Sequence, residues 1–276
     1  MPRALRLVVG WRSLEEFILA LEQRGELLRV SHPVDVELEA GCIADLLVKR
    51  NGPAVIFDQP RLGDGSISRY PLAMNLFGTR DRTNLALGVV EPKEIGEMMT
   101  GLMKPDIGGI LRRPWTGLGL LRQGISMAPR KVSRGNCQQV RMDNPDVTRL
   151  PIPTSWPQDG GPFMTLPLVV TSDPETGVHN LGMYRSQVFG PDEVGLHWQK
   201  HKHGADHAEA SEDRMPVAIC LGGPPQVIFS AISPLPDNLS EYEFAGLLSG
   251  RRLKITKCLT NDLWVPADCD FVIEGY

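Results

Sequence analysis

The chain has no run of about 18 consecutive apolar residues, so nothing in it reads as a membrane span. It has no C-x-x-C pair. Its five cysteines, at 42, 137, 220, 258 and 269, are scattered and odd in number. That argues against a disulfide framework or a zinc knuckle and for reduced thiols in a cytoplasmic protein, each most simply a small apolar core residue. Positive charge is not in excess either: 29 Lys and Arg against 33 Asp and Glu leave a net charge of −4, so no global basic field points to nucleic acid. Phosphate loops of the G-x-G-x-x-G or P-loop kind, the G-x-S-x-G elbow, a Ser-His-Asp order and the H-E-x-x-H zinc helix are all missing. The N-terminal "MPRALRLVVGW" carries too brief an apolar patch, and no small-residue cleavage site, to read as a signal peptide.

What is present is a chain of 276 residues, 42% hydrophobic and 22% charged, which suits a globular protein of two domains. Residues 1–103 read as alternating helices and strands, an α/β unit. "SLEEFILALEQRGEL" has a capping box at Ser13 and Glu16, one apolar face (Leu14, Phe17, Ile18, Leu21) and a stop at Gly25. "ELEAGCIADLLVKRNG" and "EPKEIGEMMTGLM" predict two more helices, and "LLRVSH", "AVIFD" and "YPLAMNLF" predict strands. Residues 104–136 are rich in Gly, Pro and Arg, with seven basic residues and one acidic, and read as a long connection between domains. Residues 137–276 are strand-dominated: "CQQVRM", "LPLVVTSD", "NLGMYRSQVFG", "VGLHWQ", "MPVAICLGG", "RRLKITKCL" and "DFVIEGY", with a helix at "SEYEFAGLLSG". The expectation is an α+β protein whose second part is a barrel or sandwich with a few helices. The sequence stops at "FVIEGY" in mid-strand, which reads as a fragment or one half of a split protein.

Five of the six histidines crowd into "VHNLGMYRSQVFGPDEVGLHWQKHKHGADH", at 179, 197, 201, 203 and 207. In a regular strand Asn180, Gly182 and Tyr184 share one face, while His179, Leu181, Met183 and Arg185 share the other. Asn180 and Arg185 then reach one site only through a bend, for which Gly182 is the candidate. The four-apart pair "HWQKH" has no glutamate base. Asn, His and a carboxylate together suit a hard divalent ion such as Mn²⁺ or Mg²⁺; spacing alone does not select which histidine. Glu241, in the first turn of a helix capped by Asp237 or Ser240, is explained equally by the helix dipole.

The segments "LPIPTSWPQDGGPFMTLPLVVTSDPETGVHNLGMYR", "LHWQKHKHG", "SPLPDNLSEYEFAGLLSG" and "KCLTNDLWVPADCDFVIEGY" resemble the UbiD family of reversible decarboxylases over most of residues 130–276, and "WRSLEEF" and "GPAVIF" are similar too. The pattern is nearest that of the polyprenyl-4-hydroxybenzoate decarboxylases of ubiquinone biosynthesis. The resemblance implies a split β-barrel-like domain that binds prenylated FMN, a flavin made by a partner prenyltransferase and held through Mn²⁺ with K⁺ nearby. It places the metal ligands on Asn180, His201 and Glu241. It places the flavin against Met183, Tyr184, Arg185, His197, Trp198, Gln199, Lys202 and His203, and gives Arg185 the catalytic role of orienting the substrate carboxylate. Lys202-His203 stands where the family pattern has Arg-Gly, a point charge in place of a planar fork. The implied reaction is decarboxylation of an aromatic or α,β-unsaturated acid, in the cytoplasm or membrane-associated if the acid is polyprenylated. The family's proton donor belongs to an E-G-P-[FY]-G-[ED] motif that this sequence does not contain. A C-terminal half or a homo-oligomeric partner is therefore expected, and the alternative is a flavin- and metal-binding module without chemistry of its own.

Overall fold

The computed structural model describes residues 10–103, 114–199, 203–236 and 239–276. The first helix, α1 (Leu14–Gln23), begins where expected: the Ser13 hydroxyl accepts from Glu16 N at 3.1 Å, and Gly25 (φ +68°) ends the turn that follows it. Phe17 and Leu21, one turn apart, are fully buried against Ala54, Leu76 and Ala86. Strands β1 (Leu27–Val30), β3 (Ala54–Phe57) and β5 (Leu72–Met74) make a sheet in the order β1-β3-β5, parallel then antiparallel. A parallel pair, β2 (Val34–Asp35) with β4 (Pro60–Arg61), lies beside helix α2 (Glu39–Lys49). Helices α3 (Arg80–Leu87) and α4 (Lys93–Met103) complete this part.

The stretch read as a connection contains helix α5 (Pro114–Met127) and strand β6 (Arg130–Val132). Glycines at 117, 119 and 124 hide the helix from a propensity reading, each costing about 1 kcal/mol against Ala. Tertiary packing supplies what propensity lacks, because a side chain at Gly246 would collide with Ser126 O. The expected strand "CQQVRM" does not form. Asn136–Gln138 is a short 3₁₀ turn in which Gln138 takes Gly135 N at 3.1 Å and donates to Lys257 O at 2.7 Å. Val140 and Met142, the alternation that suggested a strand, face solvent. The exposed Cys42 departs from the buried-core expectation; Cys220, Cys258 and Cys269 meet it, and all five thiols are free.

The site is built by the remaining elements: β7 (Phe163–Met164), β8 (Leu168–Ser172), β9 (His179–Met183), β10 (Ser186–Gly190), β11 (Glu193–Leu196), α6 (His203–Ala210), β12 (Val217–Leu221), α7 (Pro225–Ser230), α8 (Glu241–Ser249), β13 (Lys254–Lys257), β14 (Trp264–Pro266) and β15 (Phe271–Gly275). A four-stranded antiparallel sheet runs β15-β12-β8-β9. Two three-stranded sheets run β11-β10-β7 and β14-β13-β6. Among the described residues no sheet closes on itself, and the protein is α+β with its second part a split, open β arrangement. The central strands "LVVTS" and "VAICL" are each buried at their first four positions because both faces are covered. Leu168, Val170, Leu181, Ala218 and Cys220 pack on one side with Val227 of α7 and Tyr242 and Ala245 of α8. Val169, Val217 and Ile219 pack on the other with Met164 and Val188 of the second sheet. The period of two in a strand sorts these residues cleanly between the layers. Residues 10–103 dock on this body: Gly10 N donates to Ser249 O, Gln226 Nε2 to Ala86 O, and the Phe77 and Phe229 rings meet at 5.1 Å.

Candidate functional site: an edge strand, a helix start and a corner

Strand β9 is the edge strand of its sheet, so one row of its backbone groups is open to other partners. Helix α8 begins against that edge. Ser240 caps it: its hydroxyl accepts from Glu243 N at 3.2 Å and Glu243 Oε2 accepts from Ser240 N at 3.0 Å, a complete capping box. Of the two expected caps this is the one used; Asp237 lies outside the described residues. The cap fixes Glu241 at the first helical position, and its Oε2 accepts from Leu181 N at 3.4 Å. A carboxylate sixty residues away in sequence thus sits one peptide unit from Asn180.

Asn180 is buried, on the face opposite Leu181, and its Nδ2 donates to the Tyr184 hydroxyl at 3.4 Å. The predicted sharing of one face by Asn180, Gly182 and Tyr184 is what permits this. The Tyr184 ring lies back across Gly182, where any Cβ would collide with it. Gly182 therefore provides room; it is not a bend. The β8/β9 register runs unbroken from Leu168↔Met183 to Ser172↔His179. The bend falls two residues later, at Tyr184-Arg185, where the chain leaves β9 of the four-stranded sheet and enters β10 of the second sheet. Tyr184 also meets Trp198 edge-on at 5.4 Å, and a Cβ on Gly204 would stand 2.8 Å from the Trp198 ring.

Arg185 forms a second group around the corner. Its Nη1 and Nη2 donate to Asp159 Oδ1 and Oδ2 at 2.9 and 2.6 Å, and its Cζ stands 3.8 Å from the Phe163 ring centroid. The Arg185 guanidinium, aided by the backbone N–H groups of Trp156 and Ser155, holds the Asp159 carboxyl below the usual range. Asp159 also borders a cavity of about 520 Å³ between this layer and the β2/β4 pair. Neither Asp159 nor Phe163 was singled out from sequence; a carboxylate inside the turn-rich "PQDGGPF" was the available signal.

The other expected residues separate into three sets. Met183 ends β9, half-buried; His197 and Gln199 are exposed, and His197 N donates to Arg185 O at 3.3 Å. His201 and Lys202 lie outside the described residues, and of His203 only the backbone, at the start of α6, is described. The remaining two clustered histidines have structural partners. His207 Nδ1 and Thr171 Oγ1 are 2.9 Å apart in the interior, and Thr171 pairs across the ladder with Asn180. His179 joins two sheets: Nδ1 lies 3.1 Å from Gly177 O, and Nε2 accepts from Trp264 N at 3.1 Å.

Those two bonds define a neutral His179 with its proton on Nδ1, and burial lowers its pKa below the ordinary 6.5. A depressed folded pKa means that the unfolded chain takes up a proton first. Stability linked to this ring is thus fully present above about pH 6.5 and falls as pH drops through the folded value. Unfolding free energy followed from pH 7 to pH 5 should decline more gently in His179→Leu than in the unaltered protein. Identical slopes would remove His179 as a titrating link.

The donor set at the edge of β9 fits a hard cation. An amide side chain and a carboxylate are oxygen ligands of the kind Mn²⁺ and Mg²⁺ prefer, and one formal negative charge is already delivered there by Glu241. Among the described residues no group of three or more His, Cys, Asp or Glu is placed to hold a metal ion. Also among the described residues, no helix is long and apolar enough to cross a membrane.

Comparison with known proteins follows the same geography. The family description "3-octaprenyl-4-hydroxybenzoate carboxy-lyase Rift-related domain" matches residues 130–276, and the corresponding N-terminal domain matches residues 18–100. An "uncharacterized protein" of Archaeoglobus fulgidus is 41% identical over 272 residues, covering 97% of this chain and 55% of its own length. The closed form of vanillic acid decarboxylase from Sedimentibacter hydroxybenzoicus superposes with a TM-score of 0.80 at 30% identity, over 96% of this chain and 54% of that one. The UbiD-class enzyme HmfF from Pelotomaculum thermopropionicum, an evolved dimeric form in complex with prFMN, gives a TM-score of 0.78 at 25% identity, over 96% and 57%. The chain spans about half the length of these relatives. Because the carboxy-lyase domain alone accounts for more than half of the 276 residues, and the N-terminal domain precedes it in order, this chain belongs to the UbiD family.

Proposed function

We propose that the chain is the cofactor- and metal-binding portion of a carboxy-lyase. Its reaction is the reversible, non-oxidative decarboxylation of an aromatic or α,β-unsaturated acid, such as a 4-hydroxybenzoate derivative, with prenylated FMN held through Mn²⁺ and K⁺ nearby. The observation that carries this reading is the delivery of the Glu241 carboxylate to the strand that bears buried Asn180. In this reading Asn180, Glu241 and His201 hold the cation that neutralises a flavin phosphate. Met183, Tyr184, His197, Trp198, Gln199, Lys202 and His203 line the flavin. Residues 137–276 are then the flavin domain, joined through 104–136 to the α/β domain of 1–103. Prenylated FMN, when bound, supplies the electron sink that loss of carbon dioxide requires. Arg185 binds and orients the departing carboxylate by charge. Tyr184 and Trp198 present a packed aromatic wall that excludes water from one side. A proton must then reach the carbon that carbon dioxide leaves.

A second reading is favoured by the span of about half of each relative. Here the chain binds flavin and metal, and a further polypeptide, a C-terminal half or a second copy, supplies the proton donor. Co-expression with a flavin prenyltransferase tests both. The purified chain should carry a flavin absorbance that is lost on chelation of Mn²⁺. A chain that takes up no flavin, even with Mn²⁺ and FMN supplied, would overturn both readings. Product analysis with 4-hydroxybenzoate and cinnamate separates them: turnover by the chain alone eliminates the second.

A further inference from the structure

We propose that Asp159 is a positioning residue for Arg185: its carboxylate and the Phe163 ring together fix the guanidinium, so that the N–H groups left over are offered to an incoming aromatic carboxylate in one orientation. This rests on the carboxylate-binding role given to Arg185 above. Three observations carry it. Both terminal nitrogens of Arg185 are engaged end-on by Asp159, at 2.9 and 2.6 Å, which fixes the direction of the fork as a single bond would not. The ring of Phe163, 3.8 Å from Cζ, fixes its plane. Asp159 itself is held: Asp159 N donates to Trp156 O at 3.0 Å, Trp156 N donates back to Asp159 Oδ2 at 3.3 Å, and Gln187 Nε2 donates to the next carbonyl, Gly160 O, at 2.8 Å.

A loose surface ion pair would do none of this, since exposed pairs fluctuate and contribute little. Here the Asp159 side chain is 11% exposed and Arg185 37%, so the carboxylate is the anchored partner and the arginine the presented one. The guanidinium carries more N–H donors than the two bonds to Asp159 consume, so a second carboxylate can be bound without breaking the pair. Fixing the fork in advance removes the ordering cost that a free arginine would meet on binding. The rival reading has Asp159 merely filling the place of a substrate carboxylate, and it predicts the opposite sign on removing the charge.

The experiment uses the 276-residue chain with benzoate as the carboxylate probe. Four proteins are compared: unaltered, Asp159→Asn, Asp159→Glu and Arg185→Ala. Asn keeps the shape and an oxygen for Trp156 N, so folding is preserved while the charge is lost; Glu keeps the charge on a longer arm. The Arg185 Nε–H resonance, assigned by its absence in Arg185→Ala, reports the fork directly and needs no ligand. It should be resolved and protected in the unaltered protein, lost in Asp159→Asn and partly restored in Asp159→Glu. Benzoate affinity should fall about tenfold in Asp159→Asn and recover partly in Asp159→Glu. An Arg185 signal unchanged in Asp159→Asn, or benzoate bound more tightly by that variant, would overturn the proposal. Equal benzoate binding by the unaltered protein and Arg185→Ala would instead overturn the role given to Arg185 above, while the Nε–H resonance still decides whether Asp159 positions it.

Discussion

Glu241→Ala and Asn180→Ala should each weaken Mn²⁺ binding by about 100-fold or more, and the flavin should leave with the metal. Outer partners of metal ligands alone typically cost about 10–100-fold when removed, so loss of a ligand sets a floor at the upper end of that range. Glu241 carries the larger expectation because it removes a full negative charge beside a dication, where Asn180 removes only a dipole. Neither change should unfold the protein. Glu241 contributes to α8 chiefly through the favourable position of an anion at a helix start, about 0.3–1 kcal/mol. Glu243→Ala is the informative comparison. It breaks the capping box two residues away, costing about 0.5–2 kcal/mol of stability, and should leave Mn²⁺ affinity within about twofold. Calorimetric titration of Mn²⁺ into the chain, with and without FMN, reads all three variants. Equal affinities for Glu241→Ala and Glu243→Ala would mean that Glu241 is a helix-start residue and no ligand.

The largest effect on stability is expected at the residue between the two groups. Leu181 is fully buried in the cluster that holds Val170, Ala218, Val227, Tyr242 and Ala245, so it is one of the apolar side chains joining β9 to the layer of α8. Leu181→Ala should cost about 2–5 kcal/mol, the sum of lost transfer energy and the cavity left behind. Its backbone N–H is also the donor to Glu241, and alanine keeps that donor. The variant therefore separates packing from ligation: it should lower the denaturation midpoint sharply while the folded fraction still binds Mn²⁺. A stability loss below about 1 kcal/mol would show that α8 is held to the sheet elsewhere, with Tyr242 as the first place to look, since its hydroxyl donates to Trp264 O at 2.6 Å.

How much of this was legible in the sequence depends on the range of the forces involved. Helices α1 and α8 are readable because their capping signals lie within a few residues of their starts. The alternation that placed Asn180, Gly182 and Tyr184 together was readable for the same reason. Helix α5 was not, because its glycines suppress propensity and its support comes from α8, more than a hundred residues on. The strand expected at 137–142 has alternating Val140 and Met142 but no layer to bury them. Asp159 and Phe163 were invisible because nothing local distinguishes a carboxylate in a turn from one that meets an arginine 26 residues later. Within the histidine cluster, spacing selects none of the five; His179 and His207 are tied to backbone and to Thr171, contacts that only the folded chain makes. Family resemblance singles out Glu241 where spacing does not; the fold brings its helix start to the rim of the sheet, and the Mn²⁺ titration above tests the ligand role.

The corner at Tyr184-Arg185 has a consequence for how this segment tolerates change. Side chains along an extended chain switch sides at every step, so adding or deleting one residue between Met183 and Ser186 would reverse everything downstream. Val188, now inside, would be turned toward water, and the guanidinium would be carried away from its aspartate while Asn180 stayed where it is. The distance along the backbone between the amide and the arginine is thus a fixed phase relation between two layers. Substitutions can be absorbed there far more readily than a change of length.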